Sequence, residues 1–326
     1  MTTPILSICI PAYNRPVWLK RALLSILNTS SDQQPQIEVI VSDDSTIPDC
    51  QQLVNNLLAT WQGPWQYQNN SPSLGMAANW NRCIQMATGS YVLLLHDDDY
   101  LEPRALSNIL KTVEANPNTS ALLFGVNVVT AEQKTCKQQT VKRQKHLNAE
   151  AALERVLSNS SFIRFPGIVI KKEIFEEIGY FDEKIGGVAD IHMWVRICRG
   201  HGLLCIPTIT ANYTVHANAL TMKMFTFQTV KKLEGIFDEV EFQPWLPAQT
   251  LRSCKSDYFH QFILAGTLRY AKACDFNRAK EVFTLFNRID IHPNQASIKW
   301  KAIKTVFKVL LACIELFISV PQSNEA

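Results

Sequence analysis

A short apolar run that ends in three consecutive carboxylates places the strongest constraint on the fold. Residues 91–95 contain no alternating polar positions, and His96 is followed directly by Asp97, Asp98 and Asp99. An uninterrupted apolar run of this length is typical of a strand covered on both faces, as in a parallel sheet with helices on either side. Because adjacent carboxylates repel one another, a cation or water is expected where this strand ends. The alternative is a solvated acidic turn ahead of a helix, where the helix dipole favours negative charge.

The same order of strand, polar loop and helix recurs along the first half of the chain. The apolar runs at residues 5–10 and 37–42 each end in a polar loop, and apolar residues at helical spacing follow each loop. Further strands are predicted at residues 91–95 and 121–129, with helices near residues 75–86 and 103–115. This alternation predicts an α/β fold with a doubly wound, mostly parallel sheet, helices on both faces and ligands at the carboxyl ends of the strands.

Residues 131–147 lack apolar periodicity and are predicted to form an exposed or mobile basic loop. The basic side chains of this segment are Lys134, Lys137, Lys142, Arg143 and Lys145. This segment has two interpretations. Its positive charge could contact substrate phosphates, or the segment could be a solvated insertion without a functional role. A solvated insertion is the favoured interpretation.

Strand signals disappear after residue 221, and the remaining sequence is helical in character. We therefore divide the chain into an α/β domain over residues 1–221 and an all-α extension over residues 222–326. The extension contains a predicted helical hairpin with its turn at residues 274–277. It ends in a basic amphipathic helix over residues 298–320, whose apolar side is formed by Trp300, Ile303, Phe307, Leu310, Leu311, Ile314, Phe317 and Ile318.

The terminal helix has two interpretations. Lys304, Lys308 and Glu315 interrupt it too often for a membrane span, but its lysines and apolar side suit the surface of an anionic membrane. Most amphipathic helices instead face a protein core, so packing on the rest of the chain or on a second copy, as in a homodimer, is favoured.

Charge and cysteine content restrict the partners and the compartment. A net charge of +3 over 326 residues, without an aromatic-interleaved basic signature, argues against nucleic acid as a partner. The nine cysteines form no C-x-x-C pair, which favours a reducing compartment. The N-terminus has no pattern of a secretory signal. A cytoplasmic location is therefore expected, and the membrane-binding alternative for the terminal helix would place the protein at the inner face of the membrane.

Four segments in a fixed order resemble the family 2 inverting glycosyltransferases with a GT-A fold. Any one of them is weak evidence, but the four together extend over about two thirds of the chain. They are residues 7–15, residues 39–45, residues 74–99 with the three aspartates, and residues 189–196 with a downstream Tyr-x-x-His segment that contains His216. Two positions depart from the family pattern: Ala189 replaces an acidic residue, and His96 stands where an aspartate can begin the metal motif.

The resemblance implies roles for residues in each segment. It implies Asp190 as the general base, although Asp190 could instead cap the following helix. It implies a Mn²⁺ or Mg²⁺ site, with Asp98 as the first choice of ligand and Asp99 and His216 as further ligands. His216 could equally be a structural histidine. The residues implied to contact the nucleotide or sugar are Pro11, Ala12, Tyr13, Asn14, Arg15, Asp43, Asp44, Asn79 and Asp97.

The resemblance also implies an activity. The chain is expected to transfer a sugar, with inversion, from a nucleotide-sugar donor (UDP-linked by expectation) to a glycan, lipid-linked or other hydroxyl acceptor, in cell-surface polysaccharide or glycolipid synthesis. A nucleotidyltransferase is the alternative enzyme, disfavoured because no glycine-rich phosphate loop lies near the N-terminus. A GT-A-like binding protein that has lost turnover is the non-enzymatic alternative, and Ala189 is its one hint.

Overall fold

The computed structural model describes residues 3–47, 49–216, 219–239, 245–289 and 295–319. Val320, the predicted last residue of the terminal helix, lies outside these residues, as do the side chains of Ile314, Phe317 and Ile318. The chain divides into two compact units. The first unit comprises Met1–Leu153 and Ile163–His216, and the second unit comprises Glu154–Phe162 and Ala217–Ala326.

Strands and helices alternate through the first unit. Its strands are β1 (Leu6–Ala12), β2 (Ile37–Asp43), β3 (Trp65–Asn69), β4 (Tyr91–Leu94), β5 (Tyr100–Leu101), β6 (Ala121–Thr130), β7 (Thr135–Gln139), β8 (Lys145–Leu147), β9 (Ile168–Lys171) and β10 (Leu203–Val215). Its helices are α1 (Pro16–Leu27), α2 (Asp49–Leu58), α3 (Met76–Met86), α4 (Ala105–Ala115), α6 (Lys172–Ile178) and α7 (Ala189–His201). The boundary between the units falls within α5 (Ala149–Ser158).

The strands form one mixed sheet in the order β3-β2-β1-β4-β9-β6-β10-β5, with β7 paired to β6 and β8 paired to β10. Strands β3, β2, β1 and β4 are parallel, as are β6 and β10. Strand β9 runs antiparallel to both β4 and β6, and therefore joins the two parallel groups. The predicted α/β fold is confirmed, but the direction of β9 was not predicted, because an apolar run reads the same in either direction.

The core explains why the first strands were easy to recognise. Every residue of β1 and β2 is buried, including Leu6, Ile8 and Val39 at 0% exposure. Helices α1, α2 and α4 contribute to the same apolar cluster, so the two strands are covered as expected for the parallel part of a sheet.

The predicted basic loop is partly wrong, because residues 131–147 contain the two short strands β7 and β8. Strand β7 pairs antiparallel with β6, and β8 pairs antiparallel with β10. The predicted exposure is correct for β7, whose first four side chains are exposed. Strands of this kind contribute backbone hydrogen bonds rather than apolar side chains to the sheet, so they leave no hydrophobic signal in the sequence.

The described part of the second unit is helical. It contains α8 (Phe227–Asp238), α9 (Ala248–Lys272), α10 (Phe276–Thr284) and α11 (Ile298–Ser319). Asp275 caps α10 by accepting a hydrogen bond from the backbone N–H of Arg278 at 3.1 Å, which fixes the turn after α9. Over the described part of the chain, no helix combines the length and the apolar composition needed to cross a membrane.

Helix α11 carries two apolar sides. Trp300, Ile303, Phe307 and Leu311, all from the predicted apolar side, are half-buried, and α11 packs against α9. A second group, Val306, Val309 and Leu310, is 56%, 57% and 52% exposed. The prediction is therefore wrong for Leu310, which faces outward beside the two valines. Below, "the exposed α11 face" means Val306, Val309 and Leu310.

Candidate active site

The carboxyl ends of three neighbouring parallel strands bring three polar loops together. Strand β1 lies between β2 and β4, with Ala12 in register with Asp43 and Cys9 in register with Leu94. Backbone hydrogen bonds continue this pairing past the strand ends, from Asp44 N–H to Ala12 O at 3.0 Å and from Leu95 N–H to Cys9 O at 2.9 Å. The loops that follow β1, β2 and β4 therefore share one edge of the sheet, where ligands of such folds bind.

Asp97 links the loop after β4 to the loop after β1. Its Oδ2 accepts a hydrogen bond from the backbone N–H of Tyr13 at 3.1 Å, and its Oδ1 lies 3.3 Å from Nη1 of Arg15. Burial, with a further contribution from the charge of Asp98, raises the pKa of Asp97 to about 7. The carboxylate form is costly here, so an additional cation at this loop would stabilise it.

Asp98 has two cationic or potentially cationic partners. Its Oδ2 lies 2.7 Å from Nη1 of Arg15 and 3.1 Å from Nε2 of His216. Burial alone would raise the pKa of Asp98, but the hydrogen bond from His216 and the charges of His96 and Arg15 hold it below its ordinary value. Of the three aspartates in this loop, Asp98 is therefore the one whose ionised form is most stabilised.

The two carboxylate oxygens of Asp99 differ in their hydrogen bonding among the described residues. Oδ1 of Asp99 accepts a hydrogen bond from the backbone N–H of Thr214 in β10 at 2.7 Å. Its Oδ2 is buried and has no hydrogen-bond partner among the described residues. Burial, together with the charge of Asp98, raises the pKa of Asp99 well above its ordinary value. A buried oxygen without a donor is where a metal ion would relieve an unfavourable environment.

His96 completes a group of donor atoms that fits a divalent cation. One donor atom from each of His96, Asp98 and Asp99 lies within 4.8 Å of the others. Nε2 of His96, like Oδ2 of Asp99, is buried without a hydrogen-bond partner in the described part of the chain. Carboxylate oxygens and an imidazole nitrogen are ligands that divalent transition metals accept. The residues present therefore fit a metal ion.

His216 reaches this loop because of the topology of the sheet. Strand β5, directly after the three aspartates, pairs antiparallel with β10, and His216 follows the last residue of β10. The ring of His216 lies 4.7 Å from that of Trp18 in α1. His216 was predicted as a metal ligand and is brought to Asp98, which is one member of the three-residue metal group.

The loop after β1 is tied to the loop after β2. The backbone N–H of Asn14 donates to Oγ of Ser45 at 2.7 Å, and Oδ1 of Asn14 accepts from the N–H of Thr46 at 3.0 Å. Asn14 has a φ of 54°, the left-handed region in which asparagine is tolerated better than most residues. Asp43 is buried and accepts hydrogen bonds from the Ser45 N–H at 3.0 Å and the Tyr67 hydroxyl at 2.7 Å.

Asp44 organises the loop that enters α3. Its two carboxylate oxygens accept hydrogen bonds from Oγ of Ser73 at 2.6 Å, from the N–H of Leu74 at 2.6 Å, from the N–H of Gly75 at 2.9 Å and from Nδ2 of Asn70 at 3.3 Å. Burial alone would raise the pKa of Asp44, but these hydrogen bonds lower it below its ordinary value. Asp44 therefore shapes the loop around the predicted nucleotide site.

The other residues predicted to contact the nucleotide have different environments. Asn79 is buried, and its amide accepts from Nδ2 of Asn70 at 3.0 Å and donates to Ala12 O at 3.3 Å. Pro11 and Ala12 are buried residues of β1 and offer backbone rather than side-chain groups. The side chain of Tyr13 is 52% exposed and is free to contact a ligand. Arg15 and Asn14 are half-buried, so Tyr13 is the exposed residue of the loop after β1.

Asp190 lies in the first turn of α7 rather than at its N-cap, which is Val188. Oδ1 of Asp190 accepts a hydrogen bond from the backbone N–H of Ile191 at 2.8 Å. Burial raises the pKa of Asp190 to about 6, although the charge of Arg164 opposes the shift. A carboxylate with a raised pKa is a better proton acceptor than an ordinary aspartate and stays ionised near neutral pH.

An aromatic cluster connects α7, the helix that contains Asp190, to His96 of the acidic loop. The ring of Phe165, next in the chain to Arg164, lies 5.1 Å from that of Trp194 in α7 and 4.3 Å from that of His96. Trp80 of α3 also stacks on His96, at 5.4 Å. Helix α7 and the acidic loop thus contribute Trp194 and His96, respectively, to one cluster of rings.

Arg21 was not predicted from the sequence. Its Nη2 donates to the backbone carbonyl of Asp98 and to Oγ1 of Thr214, the latter at 3.0 Å. Its guanidinium lies 4.6 Å from the ring centre of Trp18 and 4.5 Å from that of Tyr100. Arg21 therefore fixes the backbone of the acidic loop against β10. Its position in the amphipathic pattern of α1 gave no signal of this role.

Comparison with protein families and curated sequences identifies a family model and several relatives. The family model "Glycosyl transferase family 2" matches residues 7–179, more than half of the 326 residues. A protein of Mycobacterium tuberculosis, "Uncharacterized protein MT1568", is 25% identical over 74% of this chain and 76% of its own length. The "GalNAc(5)-diNAcBac-PP-undecaprenol beta-1,3-glucosyltransferase" of Campylobacter jejuni is 28% identical over 60% of this chain and 60% of its own length. The match thus spans about three fifths of the Campylobacter enzyme.

Solved structures share the fold. The crystal structure of S. aureus TarS 1-349 in complex with UDP-GlcNAc aligns with a TM-score of 0.57 and 15% identity, over 87% of this chain and 91% of the TarS chain. At this identity the likeness establishes the fold alone.

Proposed function

The chain belongs to glycosyl transferase family 2 and has the GT-A fold, and from this premise we propose that it transfers a sugar from a UDP-linked donor to an acceptor hydroxyl with inversion. The observation that carries the proposal is the acidic loop of Asp97, Asp98 and Asp99 at the shared edge of β1, β2 and β4, with Arg15 beside it. Departure of a nucleoside diphosphate requires positive charge at the phosphates, and this loop combines a guanidinium with ligands for a cation.

We assign the binding of a divalent cation, Mn²⁺ or Mg²⁺, to Asp98 and Asp99, with His216 at the same loop. When bound, the cation supplies positive charge to the departing diphosphate. Arg15, which now contacts Asp98, would be available to a phosphate oxygen if that carboxylate were a cation ligand. Asp97 contacts the ribose or sugar in this proposal.

The nucleotide base lies between the loops after β1 and β2. Tyr13 offers an exposed ring, and Asp44 holds residues 73–75 in place through its hydrogen bonds. The backbone of Pro11 and Ala12, the side chains of Asn14 and Asp43, and the buried amide of Asn79 maintain the shape of this pocket.

Asp190 acts as the general base. It accepts the proton of the acceptor hydroxyl as the hydroxyl oxygen attacks the anomeric carbon from the face opposite the diphosphate. Its raised pKa, about 6, supports this assignment because the group is then ionised at neutral pH yet basic enough to hold the proton.

A lipid-linked saccharide is the acceptor we propose. The relative from Campylobacter jejuni carries a name that describes transfer onto a diphospho-undecaprenol saccharide. In the second unit, the exposed α11 face, with Lys299 and Lys308 also exposed on the same helix, has the composition of a surface that lies on an anionic membrane. We propose that residues 1–221 form the catalytic domain and that residues 222–326 bring it to the inner face of the membrane. The protein would then act in the cytoplasm. Its product would belong to polysaccharide or glycolipid synthesis.

Incubation of the purified chain with UDP-, GDP- and dTDP-sugars, a polyprenyl diphosphate saccharide and Mn²⁺ tests the proposal. The expected result is a glycosylated product whose anomeric configuration, measured by NMR, is opposite to that of the donor, and whose formation stops when the metal is chelated. Retention of configuration contradicts the assignment of Asp190. Pyrophosphate released from a nucleoside triphosphate would indicate a nucleotidyltransferase, and nucleotide binding without turnover would indicate a binding protein.

A further inference from the structure

We propose that His96 is a nitrogen ligand of the divalent cation, so that the site is a mixed imidazole and carboxylate site selective for Mn²⁺ over Mg²⁺. This inference rests on the proposed function, because it concerns the cation of the same loop. It assigns a role to His96, the histidine at the first position of the acidic motif in this chain.

The donor geometry supports ligation by His96. Donor atoms of His96, Asp98 and Asp99 lie within 4.8 Å of one another, a separation that one ion can bridge from its centre at ordinary ligand distances. Two of these three residues also have a buried atom without a hydrogen-bond partner among the described residues, Nε2 of His96 and Oδ2 of Asp99. Buried polar atoms are nearly always paired, so two such atoms in one small cluster point to a shared ligand.

The orientation of the His96 ring is fixed by packing. The ring contacts both Trp80, with centroids 5.4 Å apart and planes inclined by 22°, and Phe165, with centroids 4.3 Å apart, and these two neighbours also contact each other, with centroids 4.8 Å apart. A ring packed against two aromatic neighbours turns less freely, which helps to hold its donor atoms in place for an incoming ion. A phenylalanine at position 96 could make the same ring contacts, and it would not bury a ring nitrogen.

A nitrogen ligand changes which metal the loop prefers. Mg²⁺ requires oxygen ligands and near-octahedral geometry, whereas imidazole suits first-row transition metals. Replacing the first aspartate of the motif by His96 therefore favours Mn²⁺ or Co²⁺ over Mg²⁺. His96→Asp would restore an oxygen ligand and reverse part of this preference.

The test is pulsed EPR of Mn²⁺ bound to the full chain with UDP, in the wild type and in His96→Phe and His216→Phe. His96→Phe keeps an aromatic ring in contact with Trp80 and Phe165 and removes both nitrogens. The expected result is a ¹⁴N coupling to Mn²⁺ that is lost or reduced in His96→Phe, together with an affinity for Mn²⁺ about tenfold or more weaker by titration. His146→Phe, at an exposed histidine of β8, is the matched control and is expected to leave coupling and affinity unchanged.

A ¹⁴N coupling and a Mn²⁺ affinity that stay at wild-type values in His96→Phe would overturn the inference and leave the proposed function standing. Failure of the wild type to bind Mn²⁺ at all would overturn the inference together with metal-dependent transfer. A second variant, His96→Gln, guards against misfolding, and thermal unfolding without metal checks that both variants are folded. In His96→Asp, the ratio of Mg²⁺ to Mn²⁺ affinity should rise about tenfold or more, and an unchanged ratio would contradict the inference.

Discussion

Nη1 of Arg15 lies 2.7 Å from Oδ2 of Asp98, and the same nitrogen lies 3.3 Å from Oδ1 of Asp97. One guanidinium nitrogen thus contacts two carboxylates of the acidic loop. Because Arg15 follows β1 and the aspartates follow β4, the pair depends on the parallel pairing of those two strands. The arrangement makes Arg15 a competitor for the proposed metal and, once displaced, a partner for the diphosphate.

Replacement of Arg15 by glutamine should change metal and nucleotide affinity in opposite directions. Without nucleotide, Arg15→Gln should bind Mn²⁺ about tenfold more tightly, because a positive charge next to the ion is removed. With Mn²⁺ present, it should bind UDP about tenfold more weakly, because a charge-assisted contact to phosphate is lost. Calorimetric titration measures both constants. Arg82→Gln, at an exposed arginine of α3, is the control, and weaker Mn²⁺ binding by Arg15→Gln would contradict the prediction.

Replacement of Asp190 by asparagine should separate catalysis from binding. We expect Asp190→Asn to lower the turnover rate about 100- to 10,000-fold, since the proton acceptor is lost, and to leave donor affinity unchanged. Turnover is measured with saturating donor, and affinity by titration with UDP. Asp32→Asn, at an exposed aspartate, should behave like the wild type. Full activity in Asp190→Asn would remove Asp190 from the role of base.

The raised pKa of Asp190 predicts the pH dependence of transfer. A general base must be ionised, so kcat/KM should rise as the pH increases through about 6 and then become constant. The acidic loop also titrates, but a bound cation lowers the pKa of its carboxylates. Rate profiles from pH 5 to 8 at saturating Mn²⁺ measure the effect. The same inflection in the residual activity of Asp190→Asn would assign it to another group.

The parts of the site that follow single strands were predictable from sequence. Asp43, Asp44 and the three aspartates each come directly after an apolar run, and adjacent parallel strands place such residues on one edge. The pairing of β10 with β6 and β5 was not predictable, because it joins residues far apart in the chain, and His216 was implied only by the family resemblance. This pairing brings Thr214 and His216 to the acidic loop. His96 and Asp99 each have a buried atom without a partner among the described residues, and this too becomes apparent only when their surroundings are known.

Replacement of Asp44 by asparagine should destabilise the first unit. Its carboxylate accepts hydrogen bonds from Ser73, Leu74 and Gly75, and an amide can replace these interactions in part. We expect the free energy of unfolding at pH 7 to fall by about 1–3 kcal/mol. Because folding depresses the pKa of Asp44, this stabilisation is present above the ordinary aspartate value of 3.8 and is lost as the pH falls through the lower, folded value.

Urea unfolding at pH 7 and at pH 3 measures this difference. The difference in the free energy of unfolding between the wild type and Asp44→Asn should be smaller at pH 3 than at pH 7. Asp32→Asn should differ little from the wild type at either pH. A larger difference in the free energy of unfolding at pH 3 than at pH 7 would contradict the assignment of this stabilisation to the Asp44 carboxylate. UDP affinity should fall together with stability, since the loop over residues 73–75 borders the proposed nucleotide pocket.

The exposed α11 face should bind anionic membranes. Burial of Val306, Val309 and Leu310 in the headgroup region would remove apolar surface from water, and each lysine near an anionic surface contributes about 1 kcal/mol. Co-sedimentation of the full chain with vesicles should therefore increase with phosphatidylglycerol content and decrease with salt. Val309→Asp should weaken binding about tenfold or more, because it places a negative charge in the apolar contact. Val17→Asp, at a valine of α1 that is 78% exposed, is the matched control. Self-association of the wild type without lipid, abolished by Val309→Asp, would instead identify a second copy of the chain as the partner of this face.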